Sequence, residues 1–297
     1  MPTKAIAQAL KAHLGIEITK IELTRGGDIN NAYRAEASSG AIFIKSSPTA
    51  QQGTFTDEAA GLAWLAEPGG VATPEVIGVI DGPTAPRLLA LEWIEQGALT
   101  PAGEEALGRG LAMIHAASAP AFGATPTSDR SYAHAPMRFN ELALPNDPRA
   151  TWAEFYGENR LIPLAEAAHA KGMLPVEDVA KTVQLAARLP ELSGPEEPPA
   201  RTHGDLWIGN VLASSRGVPY LIDPVAHGGH REVDLALLSV FGGPSKRCFA
   251  AYDEVFPRAE GHAEREPLWQ LAMILLHVYL FGGSYVQQAR ELTSRFL

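Results

Sequence analysis

The sequence predicts an α+β protein of two lobes, a small N-terminal lobe built on an antiparallel sheet over residues 1–93 and a mainly helical C-terminal lobe over 94–297. Three observations lead to this expectation. Between residues 16 and 92, short apolar runs alternate with turns marked by Gly and Pro, the signature of strands joined by hairpins. From residue 101 onward, the longer segments read as helices, over 101–117, 175–189 and 268–281 among others. The length of 297 residues also exceeds one average domain, so two lobes sharing a cleft are a natural use of it.

Ile6, Leu10 and Leu14 are spaced by four and predict a helix over 2–14 with one inward stripe. Residues 16–23 alternate as a first strand. The turn Arg25-Gly26-Gly27-Asp28-Ile29-Asn30-Asn31 reverses the chain into a second strand over 32–37. A third strand, 41–45, ends on Lys45 among apolar neighbours, where an ammonium requires an anion. The next helix supplies a candidate: Glu58, Leu62 and Leu65 fall at i, i+4 and i+7, so Glu58 sides with the apolar stripe. Strands over 75–80 and 87–92 complete the small lobe, whose boundary is placed between Trp93 and Gly97.

Beyond it, a helix over 101–117 ends in Leu111-Ala112-Met113-Ile114-His115, and His115 reads as a satisfied packing residue. Residues 118–148 are rich in Pro and Gly with little periodicity, as in a long functional or mobile loop. Trp152, Phe155 and Tyr156 open a helix that includes Arg160, Leu161 and Ile162, with the aromatics assigned to the core. A helix over 175–189 precedes a surface loop over 190–200. After Asp223 a helix is expected to begin near Asp234, a candidate cap, and 268–281 is a largely apolar core helix.

The net charge of −10 gives no basic footprint for nucleic acid or an anionic membrane. The most apolar run, 271–281, falls well short of the ~20 residues that a membrane span needs. Cys248 is the single cysteine, so no intrachain disulfide forms and a reducing, cytoplasmic setting is expected. No apolar signal region follows Met1, and the expected protein is neither exported nor anchored.

The chemistry concentrates in Thr202-His203-Gly204-Asp205-Leu206-Trp207-Ile208-Gly209-Asn210 and in the apolar Tyr220-Leu221-Ile222 that leads to Asp223-Pro224. An Asp, an Asn after four intervening residues, and a second Asp closing a short strand are the order of polar groups in a kinase centre. Transfer of a phosphoryl group from ATP to a hydroxyl needs an aligned acceptor oxygen and metal to neutralise developing charge. Asp205 can accept the hydroxyl's proton or hold it in line. Asn210 and Asp223 offer the oxygen ligands that Mg²⁺ prefers, with ATP phosphates completing its shell. Gly204 and Gly209 read as sharp turns around the acid. Ordinary turns are the alternative, since Gly, Asp and Pro dominate turns; three polar positions in register, with Lys45 and Glu58 upstream, outweigh it. On this reading Lys45 and Glu58 anchor the α/β-phosphates, and Gly26, Gly27 and Asp28 belong to a turn that covers them. The Glu92 carbonyl and Ile94 N–H would pair with adenine through the backbone.

The motif from His203 to Asn210, then Asp223-Pro224-Val225-Ala226-x-Gly228-Gly229-His230-Arg231-Glu232-x-Asp234-Leu235-Ala236 and Phe241-Gly242-Gly243, closely resembles the fructosamine kinase (ketosamine-3-kinase) family. That family belongs to the wider aminoglycoside phosphotransferase and choline kinase group. The wider group shares His-Gly-Asp and the later Asp, whereas Leu206-Trp207 and residues 228–232 are the narrower marks. The resemblance covers residues 26–281 and implies a protein-kinase-like fold. It also implies ATP- and Mg²⁺-dependent phosphorylation of the 3-hydroxyl of a ketosamine, free or on a glycated protein lysine, as a deglycation step. Asp205 would be the base or orienting acid, and Trp207 would stack on the acceptor or pack the loop. Asp234, together with His203, would support the catalytic loop. A monomer or weak homodimer is expected. An aminoglycoside- or choline-type kinase and a non-catalytic pseudokinase are the competing expectations; retention of Lys45, Glu58, Asp205, Asn210 and Asp223 argues against the latter.

Overall fold

The alternating runs of the first 92 positions fold as one antiparallel sheet. It comprises β1 (Ile18–Thr24), β2 (Asn31–Ala37), β3 (Gly40–Ser46), β4 (Val76–Ile80) and β5 (Leu88–Glu92), in the spatial order β1-β2-β3-β5-β4. The structure, a computed structural model, describes residues 3–24, 31–47, 50–82, 86–139 and 141–297; the turn with Gly26, Gly27 and Asp28 lies outside the described residues. Side chains alternate across a strand, so Ile42 and Ile44 of β3 share one face while Phe43 and Lys45 share the other. Helix α1 (Thr3–Ala9), prolonged by a π turn (Leu10–Leu14), packs Ile6 and Leu10 with Ile42 and Ile44. Helix α2 (Thr54–Ala66) packs Phe55 and Leu62 on the opposite face with Leu89, Leu91 and Phe43. Lys45 therefore leaves the sheet on the α2 side.

Two distant contacts fix α2. Its N-cap is Gly53, which has no side chain to cap it, and Asp81 at the end of β4 acts instead: its Oδ2 accepts from the Phe55 and Thr56 N–H groups at 2.8 and 3.0 Å. Midway along α2, Gly61 lies so close to Pro224 and Ala226 that a Cβ would meet them at 3.3 and 3.1 Å.

The remainder is mainly helical. Helix α3 (Pro101–Ala116) starts on Thr100, whose Oγ1 accepts from the Gly103 N–H at 3.1 Å. The stretch expected as an aperiodic loop contains two short hairpins, β6 (Thr125–Pro126) with β7 (Tyr132–Ala133) and β8 (Met137–Phe139) with β9 (Leu142–Leu144). Next come α4 (Trp152–Tyr156), a π turn (Gly157–Leu161), α5 (Ile162–Ala170) and α6 (Val176–Leu192). Helix α6 runs through Pro190, which the sequence placed in a loop. In a last turn proline forfeits one N–H bond, and the helix closes with the Ser193 N–H on the Leu189 carbonyl at 2.9 Å.

Strand β10 (Ala200–Thr202) pairs with β13 (His227–Gly229), and β11 (Val211–Ala213) with β12 (Pro219–Leu221). Helices α7 (Arg231–Val240), α8 (Lys246–Val255), α9 (His262–Phe281) and α10 (Ser284–Phe296) complete the chain. One core gathers Trp152, Phe155, Tyr156, Trp269 and Leu271, and another gathers Leu107, Leu111, Leu235 and Tyr252 under the β10–β13 ladders. Among the described residues, no helix is long and apolar enough to cross a membrane.

Candidate active site

Three elements meet at Lys45. From the end of β3 its Nζ donates to both oxygens of Glu58 on α2, at 3.0 and 2.8 Å, and lies 3.0 Å from Oδ1 of Asp223, just past β12. Burial opposes the ammonium's charge, but Glu58 and Asp223 outweigh it and hold the Lys45 pKa above its ordinary value. Burial raises the Glu58 carboxyl, with Lys45 working against that rise. Asp223 adopts a left-handed backbone, φ 55°, rare for a residue bearing a side chain and found where surroundings over-determine it.

The Asp205 loop is held mainly by backbone. Asp234 accepts from the His203 N–H at 2.6 Å and from the Gly204 N–H at 3.0 Å. His203 accepts at Nδ1 from the Asp205 N–H, 3.2 Å, and donates from Nε2 to the Ile222 carbonyl, 2.9 Å. Gly204 has φ 81°, and a Cβ there would collide with the Val225 carbonyl. The Val225 N–H donates to His203 O at 2.9 Å and the Ile222 N–H to Asn210 O at 3.1 Å, so the segments bearing Asp205 and Asp223 are laced together. Asn210 closes the loop, donating from Nδ2 to the Asp205 carbonyl at 2.8 Å and to its Oδ2 at 3.0 Å. Burial, with help from Asp223 and Asp234, pushes the Asp205 carboxyl above the usual carboxylate range against His203 and Asn210. Burial works the same way on Asp234, but His115 and His203 outweigh it and hold that carboxyl low.

Several residues differ from their expected roles. Helix α7 begins at Arg231 rather than near Asp234, and its cap is His230, whose Nδ1 accepts from the Glu232 N–H at 3.3 Å. Asp234, one turn inside, is thereby spared for the Asp205 loop. His115 is buried and satisfied, yet it does more than pack: Nε2 lies 3.4 Å from Asp234 Oδ2 and Nδ1 lies 2.9 Å from the Tyr252 hydroxyl. Gly209 does lie in a tight turn, the 3₁₀ segment Ile208–Asn210, and it also sits against the Trp207 ring, where a Cβ would collide. Trp207 itself is 39% exposed.

At the sheet's exit, the Glu92 N–H donates to the Glu75 carbonyl at 2.9 Å, and Ile94 is buried. The Gly97 N–H to Ala213 O bond, 2.9 Å, and the Ser215 N–H to Glu95 O bond, 2.6 Å, fasten the crossing segment to the β11–β12 hairpin. The residues that reading by spacing missed are structural partners of these groups. Arg265 donates to Glu232 at 3.0 and 2.7 Å, and Trp269 Nε1 donates to it at 2.9 Å, fixing the first turn of the helix that bears Asp234. Residue 232 belongs to the Gly-Gly-His-Arg-Glu mark, which was the available signal.

Asn210 and Asp223 form a donor set suited to a hard cation. Engagement of the Asn210 amide nitrogen with Asp205 leaves Oδ1 as its ligand end, and Asp223 adds a carboxylate. Among the described residues no group of three His, Cys, Asp or Glu side chains can hold a metal ion, so a cation here would draw its remaining ligands from nucleotide and water.

The fructosamine kinase family profile matches residues 2–297. The chain belongs to the fructosamine kinase family. Among its relatives is a probable ketoamine kinase of Synechocystis, 33% identical over 301 residues that cover 100% of this chain and 97% of the relative. A chloroplastic protein-ribulosamine 3-kinase of rice is 29% identical over 95% of this chain and 80% of its own. A Thermobifida fusca crystal structure assigned as a fructosamine-3-kinase has a TM-score of 0.87 and 38% identity, covering 98% of each chain. Spectinomycin phosphotransferase, solved with ADP and spectinomycin, has a TM-score of 0.59 at 18% identity over 99% of this chain and 93% of its own, a likeness of fold alone. The N-terminal five-stranded sheet and the helical remainder of this fructosamine kinase family member are thus a kinase-like α+β fold.

Proposed function

We propose that this fructosamine kinase family member transfers the γ-phosphoryl group of ATP to the sugar 3-hydroxyl of a ketosamine of fructosamine or ribulosamine type, a deglycation step. The observation that carries the reading is the convergence of Lys45, Glu58 and Asp223 beside a loop in which Asn210 holds Asp205. The cleft would lie between lobes spanning residues 1–93 and 94–297. Lys45, kept charged by Glu58, would meet the α/β-phosphates, with Gly26, Gly27 and Asp28 covering them. The Glu92 carbonyl and Ile94 N–H would hold adenine. Bound with the nucleotide, Mg²⁺ supplies neutralisation of charge on the phosphates, and Asn210 Oδ1 and Asp223 would hold it. Asp205, its carboxyl raised towards greater basicity, takes the proton of the acceptor hydroxyl or holds that hydroxyl in line. Trp207 offers its exposed face to the sugar.

The test is ADP release with Mg·ATP and the ribulose, erythrulose and fructose adducts of lysine, with kanamycin and choline alongside. Ketosamine-dependent release is expected, falling by ~10³-fold in Asp205→Asn, whose thermal midpoint stays close to that of the parent. Turnover of kanamycin or choline alone would overturn the reading.

A further inference from the structure

Behind Gly204, the residue preceding Asp205, lies a cavity of about 60 Å³ whose other walls include Met137, Leu144, Trp152 and Met273. This lining is largely apolar, but Arg160 also faces it. Arg160 belongs to the π turn Gly157–Leu161, a kind of helix irregularity that tends to occur at functional sites. It is 5% exposed and its guanidinium lies 4.7 Å from the centre of the Phe155 ring. Its hydrogen bonds go to neutral acceptors: Nη1 to the Pro145 and Asn159 carbonyls at 2.7 and 2.8 Å, and Nη2 to Asn146 Oδ1 at 2.6 Å.

Among the described residues no carboxylate pairs with Arg160, and burial pushes its pKa down to about 9. The contrast with other buried arginines is direct: Arg231 has Glu197 at 2.6 and 2.7 Å, and Arg265 has Glu232. Asp234 also borders the cavity, but its oxygens are engaged with His203, Gly204 and His115. The bordering rings of His227 and His230 are held down to about 4 by burial and carry no charge at neutral pH. Trp152 Nε1–H, buried on the same wall, has no hydrogen-bond partner among the described residues. The cavity thus combines an uncompensated cation with an unused donor, and both features cost stability unless an acceptor of opposite charge completes them.

We propose that this cavity is an acceptor subsite for a carboxylate, so that the ketosamine's amine belongs to a free amino acid whose carboxylate pairs with Arg160 and Trp152 Nε1. The inference rests on the kinase reading above and narrows it. The aliphatic part of the amino acid lies among Met137, Leu144 and Met273, while the sugar reaches Asp205. A lysine within a protein chain, its carboxyl group consumed in a peptide bond, lacks the recognised charge.

The deciding experiment compares two acceptors that differ only at that end, the ketosamines of Nα-acetyl-lysine and of Nα-acetyl-lysine amide, in steady-state kinetics. The parent protein is expected to show a KM ~10-fold or more lower for the carboxylate, at similar kcat. Arg160→Gln erases the preference while leaving the carboxamide's kinetics and the KM for ATP unchanged, and Trp152→Phe weakens it by a few-fold. Equal KM values in the parent overturn the subsite without touching the kinase assignment, and this comparison decides even if a variant does not fold. An Arg160→Gln effect equal on both acceptors also overturns the subsite, reducing Arg160 to a brace for residues 145–146. Turnover of neither ketosamine by the parent overturns the activity and the subsite together.

Discussion

Around Asp205 the chain holds itself with backbone donors, giving the N–H groups of His203 and Gly204 to Asp234 and that of Asp205 to His203. At Lys45 the three elements meet through charge instead, by side chains from β3, α2 and the segment after β12. The first arrangement is complete in the protein alone. The second consists of ion pairs of Lys45 with Glu58 and Asp223. On the proposed function, the prebuilt half would position the acceptor and the charge-held half would receive the nucleotide.

The largest effect that would test this division is acid lability of the prebuilt half. His227 and His230, near the Asp205 loop, are each depressed to about 4 by burial, whereas an unfolded chain titrates at 6.5. Their contribution is fully present above pH 6.5 and is lost as pH falls towards about 4, because the unfolded chain takes up protons that the folded one refuses; each ring accounts for about 3 kcal/mol. Urea midpoints measured between about pH 7.5 and about pH 5 should fall accordingly, and a flat profile would mean that the rings are not confined. Next in size is Asp234→Ala. It strands two buried N–H groups and should cost about 3 kcal/mol in urea unfolding, together with a fall in kcat that Asp234→Asn partly restores.

The smallest effect belongs to the charge-held half. Lys45→Met should leave stability within about 1 kcal/mol, since Glu58 can take up a proton when its partner is gone, yet raise the KM for ATP by ~10-fold or more. A large loss of stability in Lys45→Met would erase the distinction between the halves.

Much of this was legible in the sequence because the signals were local. Period-two alternation marked the strands, and the i, i+4, i+7 placement of Glu58 marked its burial. The spacing of Asp205, Asn210 and Asp223 needed no distant partner to be recognised. What escaped was the wider support, beyond the roles that the resemblance implied for Asp234 and His203. His115 and Asp234 are 119 positions apart and His115 and Tyr252 are 137 apart, and no short window contains such a pair. Asp81 caps a helix that begins 27 positions earlier, from Thr54, on the far side of an intervening loop. The start of α7 was misplaced because His230 stands where a Ser, Thr, Asp or Asn ordinarily signals a cap. Strands of two and three residues in β6 to β9 are too short to leave a period, and the polar helix α10 has only Ala289 and Thr293 buried, too few to mark a stripe.

Gly61 has a consequence for inhibitor chemistry. Helix α2 rests directly on Pro224 and Ala226, so Glu58 and the backbone beside Asp223 are clamped to one another by contact as well as through Lys45. A compound that works by levering this helix outward would have to separate those surfaces and release the Asp81 cap in the same movement. Ligands that occupy the site as it stands face no such barrier, which makes competition with the substrates the easier route to blocking the protein.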